Sequence, residues 1–231
     1  MNTMKMTVPL LIGLASGFAH ASSAPSLGSA QTYAALSAST LTNTGPTTIL
    51  GDLGVWPGSA ITGIGSIMLI GTAHIGDATA NLAQVDARNA YNALAAEAVT
   101  GNLSGQDLGT LGAALTPGVY RFDSSAQLTG TLTLDAMNDP HALFIFQIAS
   151  TLTTASNAMV NVINGSSGSG VFWQVGSSAT LGTATLFAGN LLADQSITLT
   201  TASRILCGRA IALAGGLDAR YQYPFERLRR V

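Results

Sequence analysis

Beyond Leu115 the chain is a succession of short strand-like segments, separated by Gly, Asn, Asp and Ser turns, that recur in sets of three. One set comprises Val119-Tyr120-Arg121-Phe122, Leu143-Phe144-Ile145-Phe146 and Val171-Phe172-Trp173-Gln174. A second comprises Gln127-Leu128-Thr129-Gly130, Thr151-Leu152-Thr153-Thr154, Ala179-Thr180-Leu181-Gly182 and Ile197-Thr198-Leu199-Thr200. Each of these is followed by a third: Thr131-Leu132-Thr133-Leu134, Met159-Val160-Asn161-Val162, Thr185-Leu186-Phe187 or Arg204-Ile205-Leu206. Leu181, Leu199 and Leu217 fall 18 residues apart, and Leu128 to Leu152 is 24, the extra residues lying in the turn over 135–141. Three strands per repeat with variable corners predict a mainly β protein, a β-solenoid of triangular section. A β-sandwich has a similar strand count. Against it, second and third segments are only one to four residues apart and lack the Asn-Gly or Asp-Gly signal of a tight hairpin.

Residues 78–98 break this pattern. They are alanine-rich, with Ala83, Ala87, Ala90, Tyr91, Leu94 and Ala98 on one stripe, Asp77 as N-cap and Gly101 as terminator. A helix of that length measures about 31 Å, and six coils stacked about 4.8 Å apart rise by about 24 Å. A helix lying lengthwise on one side of the solenoid is therefore expected, with Arg88, Asn92 and Glu97 toward water. Residues 36–55 read as one more coil, and the helix would carry the chain from there to the opposite end, so that the later coils stack back toward it. The Gly- and Ile-rich residues 59–73 read as a cap or loop.

The first 21 residues stand apart: Lys5, a short apolar stretch broken by Pro9, then Ala19-His20-Ala21, the small-x-small pattern of a signal-peptidase site. The stretch is too short for a membrane span. Export to the extracellular space or periplasm is the expectation, with a mature domain over 22–220 and a basic tail over 221–231 containing Arg227, Arg229 and Arg230. That tail reads either as a disordered segment with no role or as a device that blunts an open solenoid edge. Without Lys5 the chain carries eight arginines against eleven carboxylates, a formal charge of −3. So sparse a charge argues against nucleic acid or an anionic membrane as partner, while 47% hydrophobic residues argue against disorder. Cys207, the single cysteine, excludes an internal disulfide and, in its apolar strand context, reads as a buried thiol. His74 and His141 have no His, Cys or carboxylate at metal-ligand spacing, so no cofactor, metal or catalysis is expected. Asp52, Asp123, Asp135, Asp139 and Asp194 mostly sit where strands end and turns begin. The enzyme alternative is a lyase-like solenoid with clustered carboxylates around Ca²⁺. Trp173 reads as core.

Several stretches, in this order, resemble the ice-binding (antifreeze) protein family of cold-adapted bacteria, diatoms and snow moulds. They are Leu41-Thr42-Asn43-Thr44-Gly45-Pro46-Thr47, Gly51-Asp52-Leu53-Gly54-Val55, Leu115-Thr116-Pro117-Gly118-Val119-Tyr120, Leu128-Thr129-Gly130-Thr131-Leu132-Thr133-Leu134-Asp135, Phe144-Ile145-Phe146-Gln147-Ile148, Val171-Phe172-Trp173-Gln174-Val175-Gly176 and Gly208-Arg209-Ala210. The resemblance implies a discontinuous right-handed β-solenoid with an adjacent helix, which binds ice through one flat face, often bearing a Thr-Ala/Gly-x-Thr/Asn pattern. Here Thr44-Gly45-Pro46-Thr47 and Thr154-Ala155-Ser156-Asn157 match it fully, and Thr129-Gly130-Thr131, Thr183-Ala184-Thr185 and Thr201-Ala202-Ser203 match in part. These give the candidate ice-contact residues Thr44, Thr47, Thr129, Thr131, Thr154, Ser156, Asn157, Thr183, Thr185, Thr201 and Ser203. Thr154, Thr183 and Thr201 are expected to form one outward column, provided a corner separates each from the leucine two positions before it. Threonine suits such a surface, because its methyl favours caged water, its hydroxyl anchors the cage and its β-branch limits rotamers. A monomer acting on ice by thermal hysteresis and recrystallisation inhibition is the expectation; a non-catalytic solenoid for adhesion or carbohydrate binding is the alternative. N-terminal sequencing of the exported protein is expected to begin at Ser22, and an intact Met1 outside the cell would contradict the cleavage site.

Overall fold

A computed structural model describes residues 24–165 and 170–222 of the chain. Two large sheets hold its strands, every pairing among the described residues is parallel, and one α-helix lies against them. Successive repeats stack through three strand stretches, as the sequence spacing predicts. The first stretch includes Gly118–Phe122, Leu143–Ile148 and Gly170–Val175. The second includes Ala126–Leu128, Leu152–Thr154, Ala179–Leu181 and Ile197–Leu199. The third includes Thr131–Asp135 and Met159–Ile163. In Leu186–Ala193 and Arg204–Ala212 the third stretch of one coil runs on into the first stretch of the next, with an irregularity between Ala188 and Asn190.

Stack order differs from chain order. The coil over 209–222 is followed by the N-terminal one: Ala35, Leu36 and Ser37 pair with Ala210, Ile211 and Ala212, and Leu41 to Asn43 pair with Leu217 to Ala219. Asp52–Val55, Ala60–Thr62 and Ile67–Ile70 add a further coil, and Ala73–Ile75 a last strand. The expectation of a cap or loop over 59–73 is thereby corrected; Ile61, Ile67 and Leu69 pack on the core as strand residues do. The chain then enters helix α1, Ala78–Ala96, and returns at the far end through Gly101–Asn102, which pairs with Tyr120 and Arg121. The first stretches stack nine deep, a rise of about 38 Å, longer than the six coils expected. Helix α1 covers about 28 Å of it. Gly101, read as the helix terminator, is a strand residue, and Glu97 is the C-cap.

The seam where the two halves of the chain meet is fastened by Arg209. Its guanidinium donates to the carbonyls of Tyr33 and Gln31 and to the side chain of Asn190. The coil over 209–222 lies between its neighbours in the stack, and the expected basic tail over 221–231 falls almost wholly outside the described residues. Tyr221 and Gln222 close the strand Leu217–Gln222, and the segments over 1–21 and 223–231 lie outside the described residues.

Alternation within the first stretch explains why it is buried on both sides. In Leu143–Ile148, Phe144, Phe146 and Ile148 point into the coil interior, while Leu143 and Ile145 pack against α1 with Ala83, Ala87, Ala90 and Leu94. Small alanines let the helix axis come close to the strands. Polar groups at this contact are satisfied: Gln147 Nε2 donates to the carbonyls of Leu94 and Glu97 at 2.8 and 2.9 Å, and Asp77 caps the helix through the Ala80 amide at 2.8 Å. Inside the coils Tyr120, Phe146 and Trp173 stand in register, and Phe146 stacks on the fully buried Trp173 at 4.0 Å between centroids. Cys207, expected in the core, is exposed. It occupies a left-handed backbone position, φ 50°, at the corner before Gly208, so the alternation that would bury it ends one residue earlier.

Ala87 is wholly buried beneath the helix, whereas Val85 is half exposed on its outer side. Ala87→Leu is expected to cost about 1–3 kcal/mol through overpacking, read as a Tm fall of about 2–4 °C per kcal/mol. Val85→Ala is expected to stay within about 0.5 kcal/mol.

Candidate functional site

Each of the three strand stretches stacks on its counterparts to present one side, and these differ in what they expose. The first is covered by α1. The third carries Thr131, Met159, Leu186 and Arg204 in one outward register, with Met68 and Ile70 exposed on a later coil. Bulky apolar, charged and hydroxyl groups alternate there without a repeat. The second side is different.

Its inward positions are filled by Ala126, Leu128, Leu152, Ala179, Leu181, Ile197, Leu199, Leu217, Ala219 and Leu41, all buried. Between each inward pair one residue faces out. Strand pairing aligns these outward residues into a single column: Gln127, Thr153, Thr180, Thr198, Asp218, Thr42 and Thr62. Five of the seven are threonine. Neighbours along the column stand one ladder step, about 4.8 Å, apart, and each β-branched side chain has few rotamers open to it. Among the described residues none of these five hydroxyls bonds another protein group, so they remain available to an outside partner.

Two further columns flank this one. Continuing the register by two residues on one side gives Ser125, Thr151, Ser178, Ser196, Gly216 and Thr40. Thr151 Oγ1 donates to Ser125 Oγ at 2.8 Å, and the Ser196 amide to Ser178 Oγ at 3.3 Å. On the other side lie Thr129, Ala155, Gly182, Thr200, Arg220 and Thr44. Here hydroxyls are engaged by the protein: Thr129 Oγ1 donates to Asp107 at 2.6 Å and Thr200 Oγ1 to the Leu181 carbonyl at 2.8 Å. Asp218 and Arg220, paired at 3.3 Å, are the charged groups within these columns. The whole side is thus a sheet surface of small hydroxyl residues on a rigid apolar backing.

Most of the motif-derived candidates fall elsewhere, at the corner between the second and third sides. Gly45, Gly130, Asn157, Ala184 and Ala202 hold φ between 56° and 92° there, which bends the strand out of one side and into the next. Thr47, Thr154, Thr185 and Ser203 point inward and are buried, and as contact residues they are corrected. Their hydroxyls satisfy the turn itself. Thr154 Oγ1 and Thr185 Oγ1 lie 2.7 Å apart, Thr154 Oγ1 accepts from the Gly182 amide at 2.9 Å, and Thr185 Oγ1 donates to the Ala155 carbonyl at 3.2 Å. Thr47 Oγ1 donates to Asn43 Oδ1 at 2.7 Å and Ser203 Oγ to the Thr200 carbonyl at 2.8 Å. The expected column of Thr154, Thr183 and Thr201 does not form: the strand Leu152–Thr154 runs on without a corner, so Thr154 shares the inward direction of Leu152.

Ser156, Asn157, Thr183 and Thr201 are exposed along the corner, Thr131 is exposed on the third side, and Thr44 and half-buried Thr129 edge the second. The central column of Thr153, Thr180, Thr198, Thr42 and Thr62 is absent from the motif-derived set. Its signal is strict alternation, a polar residue between two inward ones, as in Ala179-Thr180-Leu181 and Ile197-Thr198-Leu199. Among the described residues, no group of three His, Cys, Asp or Glu side chains is arranged to hold a metal ion.

Comparison with known proteins places this architecture. Residues 35–219 match the family model described as ice-binding-like. An ice-binding protein of Nostoc sp. (strain HG1) is 52% identical over 217 residues, covering 90% of this chain and 80% of that one. The crystal structure of an ice-binding protein from an Antarctic biological consortium superposes with a TM-score of 0.81 at 40% identity, covering 94% of each chain. That of the Antarctic ascomycete Antarctomyces psychrotrophicus superposes with a TM-score of 0.79 at 34% identity, covering 89% of this chain and all of that one.

One edge of the second side is pinned by an ionisable group. Burial raises the Asp107 pKa, but the hydroxyl and amide of Thr129 and the amide of Gly109 outweigh it and hold the carboxyl below its usual value. A carboxyl with a depressed folded-state pKa contributes stability above its unfolded value, and that contribution is lost as pH falls through the folded one. Tm is therefore expected to stay level from about pH 7 to 5 and to fall below about pH 4. Asp107→Asn is expected to flatten part of that fall; an identical acid profile would contradict the role assigned to Asp107.

Proposed function

Because the chain belongs to the ice-binding-like family, we propose that it adsorbs to ice crystals through its second side, with Thr153, Thr180, Thr198, Thr42 and Thr62 at the centre of the contact. The observation that carries this is the in-register column of threonines whose hydroxyls have no protein partner among the described residues. Ice presents a periodic lattice of water oxygens and no net charge. Recognition of such a surface requires a rigid array of like groups at a fixed spacing, each able to give and accept one hydrogen bond without gripping water as a charge does. Stacked coils supply the spacing, the buried leucines and isoleucines supply the rigidity, and the threonine methyls between the hydroxyls favour ordered water.

The solenoid that carries this surface is inferred to be right-handed, the hand that nearly all parallel crossovers take, and triangular in section, one side for each strand stretch of a coil. The chain then acts outside the cytoplasm as a monomer, without cofactor or catalysis. Adsorption to growing ice gives thermal hysteresis and inhibits recrystallisation.

A bulky ring on a flat surface tests the assignment. Thr180 projects from the middle of the second side, so Thr180→Tyr is expected to abolish most of the thermal hysteresis while changing stability by no more than about 0.5 kcal/mol. Thr131→Tyr, on the third side, is expected to leave both unchanged. Full hysteresis in folded Thr180→Tyr, with loss in Thr131→Tyr, would move the contact to the third side.

A further inference from the structure

The central column is not uniform along its length. Pairing aligns Thr198 with Asp218 and Asp218 with Thr42, so a carboxylate divides the threonines into Thr153, Thr180 and Thr198 on one side and Thr42 and Thr62 on the other. The adjacent column is divided at the same level, where Arg220 aligns with Thr44 and follows Thr200. Asp218 Oδ2 accepts from Arg220 Nε at 3.3 Å, and the two side chains are 33% and 60% exposed. Both charges therefore stand at the plane where ice would sit.

We propose that the Asp218–Arg220 pair is an internal boundary of the ice-contact surface, separating the Thr153–Thr180–Thr198 platform from the Thr42–Thr62 platform. The proposal rests on the second side being the ice-binding one. A carboxylate and a guanidinium orient water around themselves far more strongly than a hydroxyl does, and stripping that water has a high free-energy cost. Ice supplies no counter-charge to offset it. The guanidinium is also long and planar, so it stands above a surface otherwise made of short side chains. A lattice-matched water layer is then interrupted at this coil, and the two platforms adsorb as separate short arrays. The inward neighbours Leu217 and Ala219 keep the strand anchored, and threonine is a better strand residue than aspartate.

The test is to join the platforms. Asp218→Thr combined with Arg220→Thr turns an interrupted run of three and two threonines into six in a row, and continues the flanking column from Thr200 to Thr44. Thermal hysteresis of the full chain, measured against concentration with Tm alongside, is expected to rise about twofold at equal concentration, as contacts that acted singly act together. Asp218→Asn, which removes one charge and keeps the shape, is expected to give a smaller rise and serves as the measurement if the double variant alters Tm. Unchanged or lower hysteresis in both variants, while Thr180→Tyr still abolishes activity, would overturn the boundary and leave the ice-binding side standing. Unchanged hysteresis in both variants and in Thr180→Tyr would overturn the side as well.

Discussion

The register of parallel strands on the second side governs the properties proposed for this surface. Side chains alternate in and out with a period of two, so sliding one coil by a single residue would bury its threonine and expose its leucines. Register is held by the inward columns. Leu181 and Leu199 face each other across one ladder step, as do Ala179 and Ile197, and all four are essentially excluded from solvent. The penalty for exposing them, roughly 1.5–3 kcal/mol for each large apolar side chain, falls on every coil that slips. Alignment of the outward hydroxyls is thus a consequence of core packing, and no contact among the hydroxyls themselves has to enforce it.

The same constraint explains the helix and the discontinuous chain path. A stack nine strands deep has two open ends and one side that must be closed against water if its first stretch is apolar on both faces. Helix α1 covers that side with alanines and also transports the chain from one end to the other. Later coils then grow back until residues 209–222 meet the N-terminal coil. Arg209 fastens that meeting through carbonyls of Gln31 and Tyr33, so two halves far apart in sequence form one continuous ladder. The strand ladder of the second side continues across this seam, from Thr198 through Asp218 to Thr42, and the relative placement of its two threonine platforms depends on the seam being closed.

Much of this is legible in the sequence. The three-segment repeat, the helix with its Asp77 cap, the return of the chain along it and the core position of Trp173 follow from periodicity and turn residues alone. Leucine spacing was less reliable as a ruler: Leu181 and Leu199 pair, but Leu217 pairs with Ile197 and Leu152 with Ala126. A slip of two residues preserves which way a side chain faces, so the pattern looks equally regular in either register. The corners are less legible. Thr-Ala-Ser and Thr-Gly runs look like surface motifs, yet Thr154, Thr185 and Ser203 turn inward to satisfy the backbone where Asn157, Ala184 and Ala202 take left-handed angles. Left-handed alanines carry no sequence signal that separates them from ordinary strand residues, and the exposed Cys207, at φ 50°, was hidden for the same reason.

The central claim concerns which atoms meet ice, and it is best tested where they meet. In frozen solution, solid-state NMR can follow magnetisation from ice protons into the side chains of the adsorbed protein. Transfer is predicted to reach the methyl and hydroxyl groups of Thr153, Thr180 and Thr198 first, and to be weak or absent at Thr131, Met159 and Leu186. Transfer that reaches the third-side residues first, and bypasses Thr180, would contradict the account.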